Sequence, residues 1–242
     1  MDRSIYDAMA AHDSSHWWYV ARRDVLHDLI ARHIAPPADA RILEIGCGTG
    51  HNLAMLSGFG QVEGHELDEA ARGVAKARFG QVGDARLPEL TGVPEQSYDL
   101  VALLDVLEHV EDDVASLASI ARRLRPNGRI LVTVPQFAWL WSGHDVANHH
   151  HRRYSKAALR KTIAAAGLRL ELLTSFNSLL FPLALADRAV SKATRRSGSD
   201  DTPPAPAVNA LFRRVFALER YLVGRVPMPP GVSLAAVIRA EG

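Results

Sequence analysis

Three groups of residues in this sequence have types and spacings suited to chemistry. The first is Gly46-Cys47-Gly48-Thr49-Gly50, entered through the apolar run Leu43-Glu44-Ile45, with Glu66 further on at the end of the next apolar run. Glycines let a backbone turn tightly and approach a ligand closely. A helix starting behind them offers free N–H groups, and a carboxylate at the second strand end can accept both hydroxyls of a ribose. A dinucleotide fingerprint G-x-G-x-x-G would place its third glycine at position 51, where His51 stands, so the spacing argues against a nicotinamide cofactor.

The second group, Asp105-Val106-Leu107-Glu108-His109-Val110, follows the apolar run Tyr98–Leu104. The third is Asp145–Ser155, D-V-A-N-H-H-H-R-R-Y-S. Imidazole changes charge near neutrality, which makes His109 and His150 the candidate bases; the plain alternative is that His109 caps or packs a short helix. Arg152 and Arg153 suit an anionic or carboxylate substrate group, and Tyr154 could close a pocket. Equally, Arg153-Tyr154-Ser155 could simply start the next helix. Consecutive residues of an extended chain alternate faces, so the three histidines would not share one ion. No metal is expected unless folding adds an acid such as Glu108 or Asp145.

The elements that must hold these groups read as strands alternating with helices. Arg41–Ile45, Gln61–Glu66, Tyr98–Leu104 and Arg129–Val134 are strand-like; Glu69–Arg78 and Asp113–Leu124 have helical spacing, with Asn127-Gly128 supplying turn chemistry. Ser155 caps a helix to Ala166, Leu168–Ser175 and Val232–Arg239 are further strands, and Ala207–Val223 is an amphipathic helix. Strands alternating with helices imply crossovers and a parallel sheet, so the expected class is α/β, doubly wound.

Composition sets the frame. The 242 residues, 48% hydrophobic and 23% charged, are those of an ordinary globular chain rather than a disordered or fibrous one. One cysteine, Cys47, excludes an internal disulfide and a cysteine-rich zinc site, and favours a reducing cytoplasm. The first eighteen residues lack the apolar stretch of a secretory signal. Net charge is only +1, but residues 1–150 carry 13 basic and 21 acidic side chains and residues 151–242 carry 15 and 6. Such a split can mark a face for an anionic surface or substrate, or be smoothed out by folding.

The motifs together resemble class I S-adenosylmethionine-dependent methyltransferases. Glu44–Gly50 is similar to that family's first motif, Val62–Asp68 to its second-strand motif, and Gly83-Asp84-Ala85 to the segment facing the adenine. Asp99–Val110 resembles the fourth-strand motif, and Leu124-Arg125-Pro126-Asn127-Gly128 the L-x-P-x-G turn before the fifth strand. His16-Trp17-Trp18, Arg22-Arg23 and His150–Ser155 (H-x-R-R-Y-S) resemble a bacterial subgroup. The resemblance implies a Rossmann-like, seven-stranded, mostly parallel sheet with helices on both faces. It implies S-adenosylmethionine as cofactor, S-adenosylhomocysteine as product, and Glu44, Gly46, Cys47, Gly48, Gly50, Glu66, Leu67, Asp84, Ala85, Asp105 and Val106 as the cofactor site. Trp18 and Arg22 would join it from an N-terminal lid, an aromatic face beside a sulfonium being favourable, unless the tryptophans only pack on the core.

The implied activity is methyl transfer to a small-molecule acceptor, most simply at oxygen, with nitrogen or carbon as alternatives and an oxidoreductase or a silent cofactor-binding module as remote ones. The expected layout is one domain over 1–242: N-terminal lid helices 1–38, a cofactor-binding core 39–175, a helical insertion 176–231 with a flexible loop at 197–206, and a last strand 232–242. The insertion places apolar residues beside basic ones. It suits a substrate lid, peripheral membrane contact through 176–196 and 207–224, or a homodimer surface, and it hints at a hydrophobic or lipid-linked acceptor. No nucleic-acid module is recognisable, so nucleic acid is not the expected partner.

Overall fold

The computed structural model describes residues 1–194 and 203–240. Its core is one seven-stranded sheet in the order β3-β2-β1-β4-β5-β7-β6. The strands are β1 (Arg41–Ile45), β2 (Gln61–His65), β3 (Val82–Gly83), β4 (Tyr98–Leu104), β5 (Leu124–Pro135), β6 (Leu168–Phe176) and β7 (Ser233–Ala240). β1 to β5 pair in parallel, and β7 runs antiparallel between β5 and β6.

β1 and β4 are apolar at nearly every position because both faces of the sheet are covered, as parallel sheets require. Side chains alternate across a strand. Leu43, Val101 and Leu103 therefore join one core with Leu117, Ile120 and Leu159, while Ile42, Leu100 and Ala102 join another with Val25, Leu29 and Phe216. The first face is covered by α5 (Asp113–Ala121) and α7 (Lys156–Ala165), the second by α2 (Trp17–Leu29) and α9 (Pro206–Ala217). The caps are local and legible. Asp68 accepts from the amides of Ala70 and Ala71 at the start of α4 (Glu69–Phe79), Asp112 from Ala115, and Ser155 Oγ from Ala158.

The fold differs from the sequence expectation in several places. The helix expected to reach Leu124 stops at Ala121, and β5 begins at Leu124 rather than Arg129. Leu124 already pairs with Tyr98, and the L-R-P-N-G segment is an irregularity inside the strand that shifts the register between Tyr98 and Leu100. Asn127 sits there at φ +67°, a backbone state that asparagine tolerates better than most residues. The helix behind the glycine turn, α3, is only Leu53–Leu56.

The insertion does add two helices, α8 (Phe181–Thr194) and α9. However, the apolar face of α9 is covered from within. Phe212 and Phe216 meet Trp17 of α2 edge-on, with ring centroids 5.6 and 6.0 Å apart, and Asn209 Oδ1 accepts from the Trp17 amide at 2.9 Å. Phe216 is fully buried, worth roughly 1.5–3 kcal/mol. The Phe212 and Phe216 side of α9 is thus taken up by α2, while Val208 and Leu211 on the same helix stay exposed. The expected loop at 197–206 falls outside the described residues except for 203–206. No helix among the described residues is long and apolar enough to cross a membrane.

Candidate functional site

A cavity of about 1340 Å³ opens at the carboxyl ends of the parallel strands. This is where open α/β sheets bind ligands. It exceeds the roughly 300–1,000 Å³ of a single-ligand pocket, leaving room for two reactants side by side.

The floor is the glycine turn after β1. Gly46 and Gly48 line it, at φ +70° and +56°. A Cβ on Gly46 would stand 2.6 Å from Val106 Cγ2, so the turn packs directly against the segment after β4. Glu66 lines the side wall: Oε2 accepts from the Gly48 amide and Oε1 from the Asp68 amide, both at 2.8 Å. Each oxygen keeps a lone pair for a further donor. Leu67, Ala85, Asp105 and Val106 line the same region.

Three expected cofactor residues stand behind the turn instead. Glu44 is fully buried and accepts from Asn52 Nδ2 at 2.8 Å, which braces the turn. Burial outweighs this bond and raises its carboxyl to about 7. Cys47 packs beside Leu53 and Ala75, and burial pushes its thiol far up, so it is no nucleophile. Gly50, at φ +81°, faces Ala75. Asp84 is exposed and outside the cavity lining; the wall there is Ala85 to Glu89.

The N-terminal segment forms the cover. Trp18 lines the cavity and stacks on the Arg22 guanidinium at 5.1 Å; Trp17 also reaches the lining while packing in the α2–α9 contact. Arg22 is buried and gives hydrogen bonds to Asp105 Oδ2 at 2.7 Å and Thr133 Oγ1 at 2.9 Å. It thereby ties α2 to the ends of β4 and β5. α1 (Arg3–His12) falls in the expected lid region 1–38, but its site residues were not singled out: Tyr6 and Met9 line the cavity, and Met9 Sδ lies 3.3 Å from where a Gly48 Cβ would sit. The helical spacing of Ile5 and Met9 was the available signal.

At the other end the second and third chemical groups converge. The His151 amide donates to the Glu108 carbonyl at 2.8 Å, and Glu108, His109 and His150 all line the cavity. His150 Nδ1 lies 2.9 Å from Asp145 Oδ1, which leaves Nε2 4.0 Å from Glu108 Oε1. Burial would raise the Asp145 carboxyl, but hydrogen bonds from His150 and Arg153 overcome it and hold it well below the usual carboxylate range. Burial, with His150 adding to it, lowers His109 to about 3, a weaker proton acceptor than a free imidazole.

The remaining expectations need correction. Arg153 lines the cavity, but it donates to Asp145 at 2.6 Å and to the Gln136 carbonyl, so two of its nitrogens already hold the His150 segment. Arg152 turns outward to the Glu111 carbonyl and Asp113. Tyr154 is a core residue whose hydroxyl donates to Asp113 Oδ2 at 2.7 Å, and it closes no pocket. α8 contributes Ala184 and Asp187 to the cavity wall, so part of the insertion does lie over the site. The same helix shows Leu183 half exposed, near an aromatic cluster of Phe137, Trp139 and Phe181.

The sequence matches the model of a family described as a methyltransferase domain over residues 17–173. A probable S-adenosylmethionine-dependent methyltransferase of Mycolicibacterium smegmatis is 30% identical over 151 residues, covering 60% of this chain and 58% of that protein. A ubiquinone biosynthesis O-methyltransferase of Thiobacillus denitrificans is 29% identical over 160 residues, 58% of this chain and 69% of that protein. The matched region thus spans under two thirds of the length of the first such relatives. Among solved structures, the fold is shared with a methyltransferase of Haloferax volcanii held in complex with the Trm112 activator, at 22% identity and TM-score 0.60 over 100% of this chain and 98% of that one.

Proposed function

The chain belongs to the class I S-adenosylmethionine-dependent methyltransferases, and from that premise we propose that it transfers a methyl group to an oxygen of a small, hydrophobic acceptor. The cavity fits the cofactor on its own geometry: the glycine floor has no room for a Cβ at Gly46, and Glu66 presents a buried carboxylate beside it. The bound cofactor supplies an activated methyl on a sulfonium, displaced in line by the acceptor. Gly46 and Gly48 would let it approach the floor, Glu66 would accept the ribose hydroxyls, and Trp18 would cover the sulfonium side.

The observation that carries the reading is His150. Its far nitrogen is fixed by a carboxylate, Asp145, while its near nitrogen lies 4.0 Å from Glu108 Oε1 within the cavity. That arrangement suits activation of an O–H, which must lose its proton as the methyl arrives; an amine or a stabilised carbanion needs it less. The name of the ubiquinone O-methyltransferase relative supports oxygen. Val110, Pro135 and Ala184 in the cavity lining support a hydrophobic acceptor.

The test is S-adenosylhomocysteine release with phenolic, lipid-linked, amine and carbon-acid acceptors, alongside calorimetric titration of the product. The product should bind, phenolic or lipid-linked hydroxyls should turn over, and His150→Ala should lower kcat by about 10²–10⁴ while leaving product affinity within a few fold. Absence of product binding, or turnover confined to amines, would overturn the reading.

A further inference from the structure

We propose that Glu108, His109 and His150 bind one divalent transition-metal ion of the zinc class, with an open coordination position facing the acceptor end of the cavity. This rests on the reading that the cluster is where the acceptor is activated, and it replaces a bare imidazole by a cation held on that imidazole.

Four observations lead to it. One donor atom from each of the three residues lies within 4.8 Å of the other two. Tetrahedral ligands at about 2.0–2.1 Å from zinc stand roughly 3.4 Å apart, so binding draws the side chains in by about 1 Å. Glu108 is fully buried, and neither of its carboxylate oxygens has a hydrogen-bond partner. A buried carboxylate in that state is costly unless a cation or a proton joins it.

The histidines are also already oriented. His150 Nδ1 is fixed on Asp145, itself locked by Arg153 Nε at 2.6 Å and the Ser142 amide at 2.8 Å, so Nε2 is aimed at Glu108. The His109 ring lies beside the backbone of Asn148 and edge-on to His150, with centroids 4.6 Å apart. Metal-ligating histidines are held as His150 is, by a carboxylate or a carbonyl on the other nitrogen. Finally, the two ligand-bearing segments are clamped together by the His151 amide on the Glu108 carbonyl.

The donor set names the metal. Two imidazoles and one carboxylate suit zinc or its neighbours rather than magnesium or calcium, and three protein ligands leave a fourth position for a reactant. An acceptor hydroxyl bound there would be acidified as zinc-bound water is. Its proton leaves to solvent, its oxygen lone pair takes the methyl, and the sulfonium receives the electron pair of the broken C–S bond to become a neutral thioether. The metal keeps its charge throughout.

The experiment is a titration of the full, chelator-treated chain with Co²⁺ alone, read by its visible d–d bands and followed by competition with Zn²⁺ and Mg²⁺. One Co²⁺ per chain should bind, Zn²⁺ should displace it, and Mg²⁺ should not. His150→Ala and Glu108→Gln should each weaken binding by at least about 100-fold, with thermal melting checked for both. His149→Ala/His151→Ala should bind as the parent does. Lack of saturable binding, displacement by Mg²⁺, or a signal that follows His149 and His151 would overturn the site. Product titration on the same samples separates this from the methyltransferase reading: product binding without Co²⁺ sinks the metal alone, and Co²⁺ binding without product sinks the activity alone.

Discussion

Replacing Glu44 by glutamine should change how stability depends on pH, and the sign follows from where the carboxyl sits. Burial raises Glu44 from 4.5 to about 7, against the opposing pull of the Asn52 hydrogen bond and the Arg22 charge. Between those two values the folded chain holds a proton that the unfolded chain has released. Stability therefore falls as pH rises from 4.5 to 7 and then levels off. An interval of about 2.5 pH units at 1.36 kcal/mol each gives about 3 kcal/mol. Glu44→Gln keeps the volume, and its amide oxygen can still accept from Asn52 Nδ2, so it mimics the protonated form. Any constant cost of the new amide, next to the unpartnered position of Glu44 Oε2, cancels when two pH values are compared. Urea denaturation of parent and variant at pH 4.5, 6 and 8 should show the variant gaining about 3 kcal/mol on the parent across that range. Parallel stability curves would refute the burial argument and mean that water reaches Glu44.

Further predictions concern the contacts that shape the cavity. Gly46→Ala should cost about 2–5 kcal/mol, combining left-handed backbone strain with the Val106 clash. Adding Val106→Ala should recover the clash part, so a double-mutant cycle by chemical denaturation should give a coupling of about 1–3 kcal/mol, and strict additivity would contradict the contact. Arg22→Met should destabilise by about 3 kcal/mol by stripping the partner from Asp105, and combining it with Asp105→Asn should restore part of the loss in melting temperature.

Much of the sheet was readable because parallel strands buried on both faces are continuous apolar runs, as Tyr98–Leu104 is. The glycine turn and Glu66 were readable because special backbone states demand special residues. What failed shares a physical cause. Arg153 and Tyr154 have the side chains of a substrate site, but their partners, Asp145 and Asp113, are set by tertiary folding. The start of β5 was hidden because L-R-P-N-G reads as a turn even where it continues a strand irregularly. Glu108 could be named only as an acid that folding could add to the histidines, since a helix, a strand and the irregular stretch after Pro135 separate it from His150 and no periodicity encodes that path. α9 looked like a surface helix only because the face of α2 that covers it lies nearly two hundred residues away.

The position of β7 has a consequence for how the chain is made. β6 pairs with β7 alone, and β7 is also its link to β5. The ribosome delivers β6 more than fifty residues before β7, with α8 and α9 in between. During that interval β1 to β5 can assemble their parallel ladder, while β6 leans chiefly on α7 and exposes an unsatisfied edge. The nascent chain thus carries a nearly finished nucleotide-type fold with a loose strand beside it. Vectorial synthesis places the greatest risk of misassociation late, just before the final strand slots between two that are already waiting.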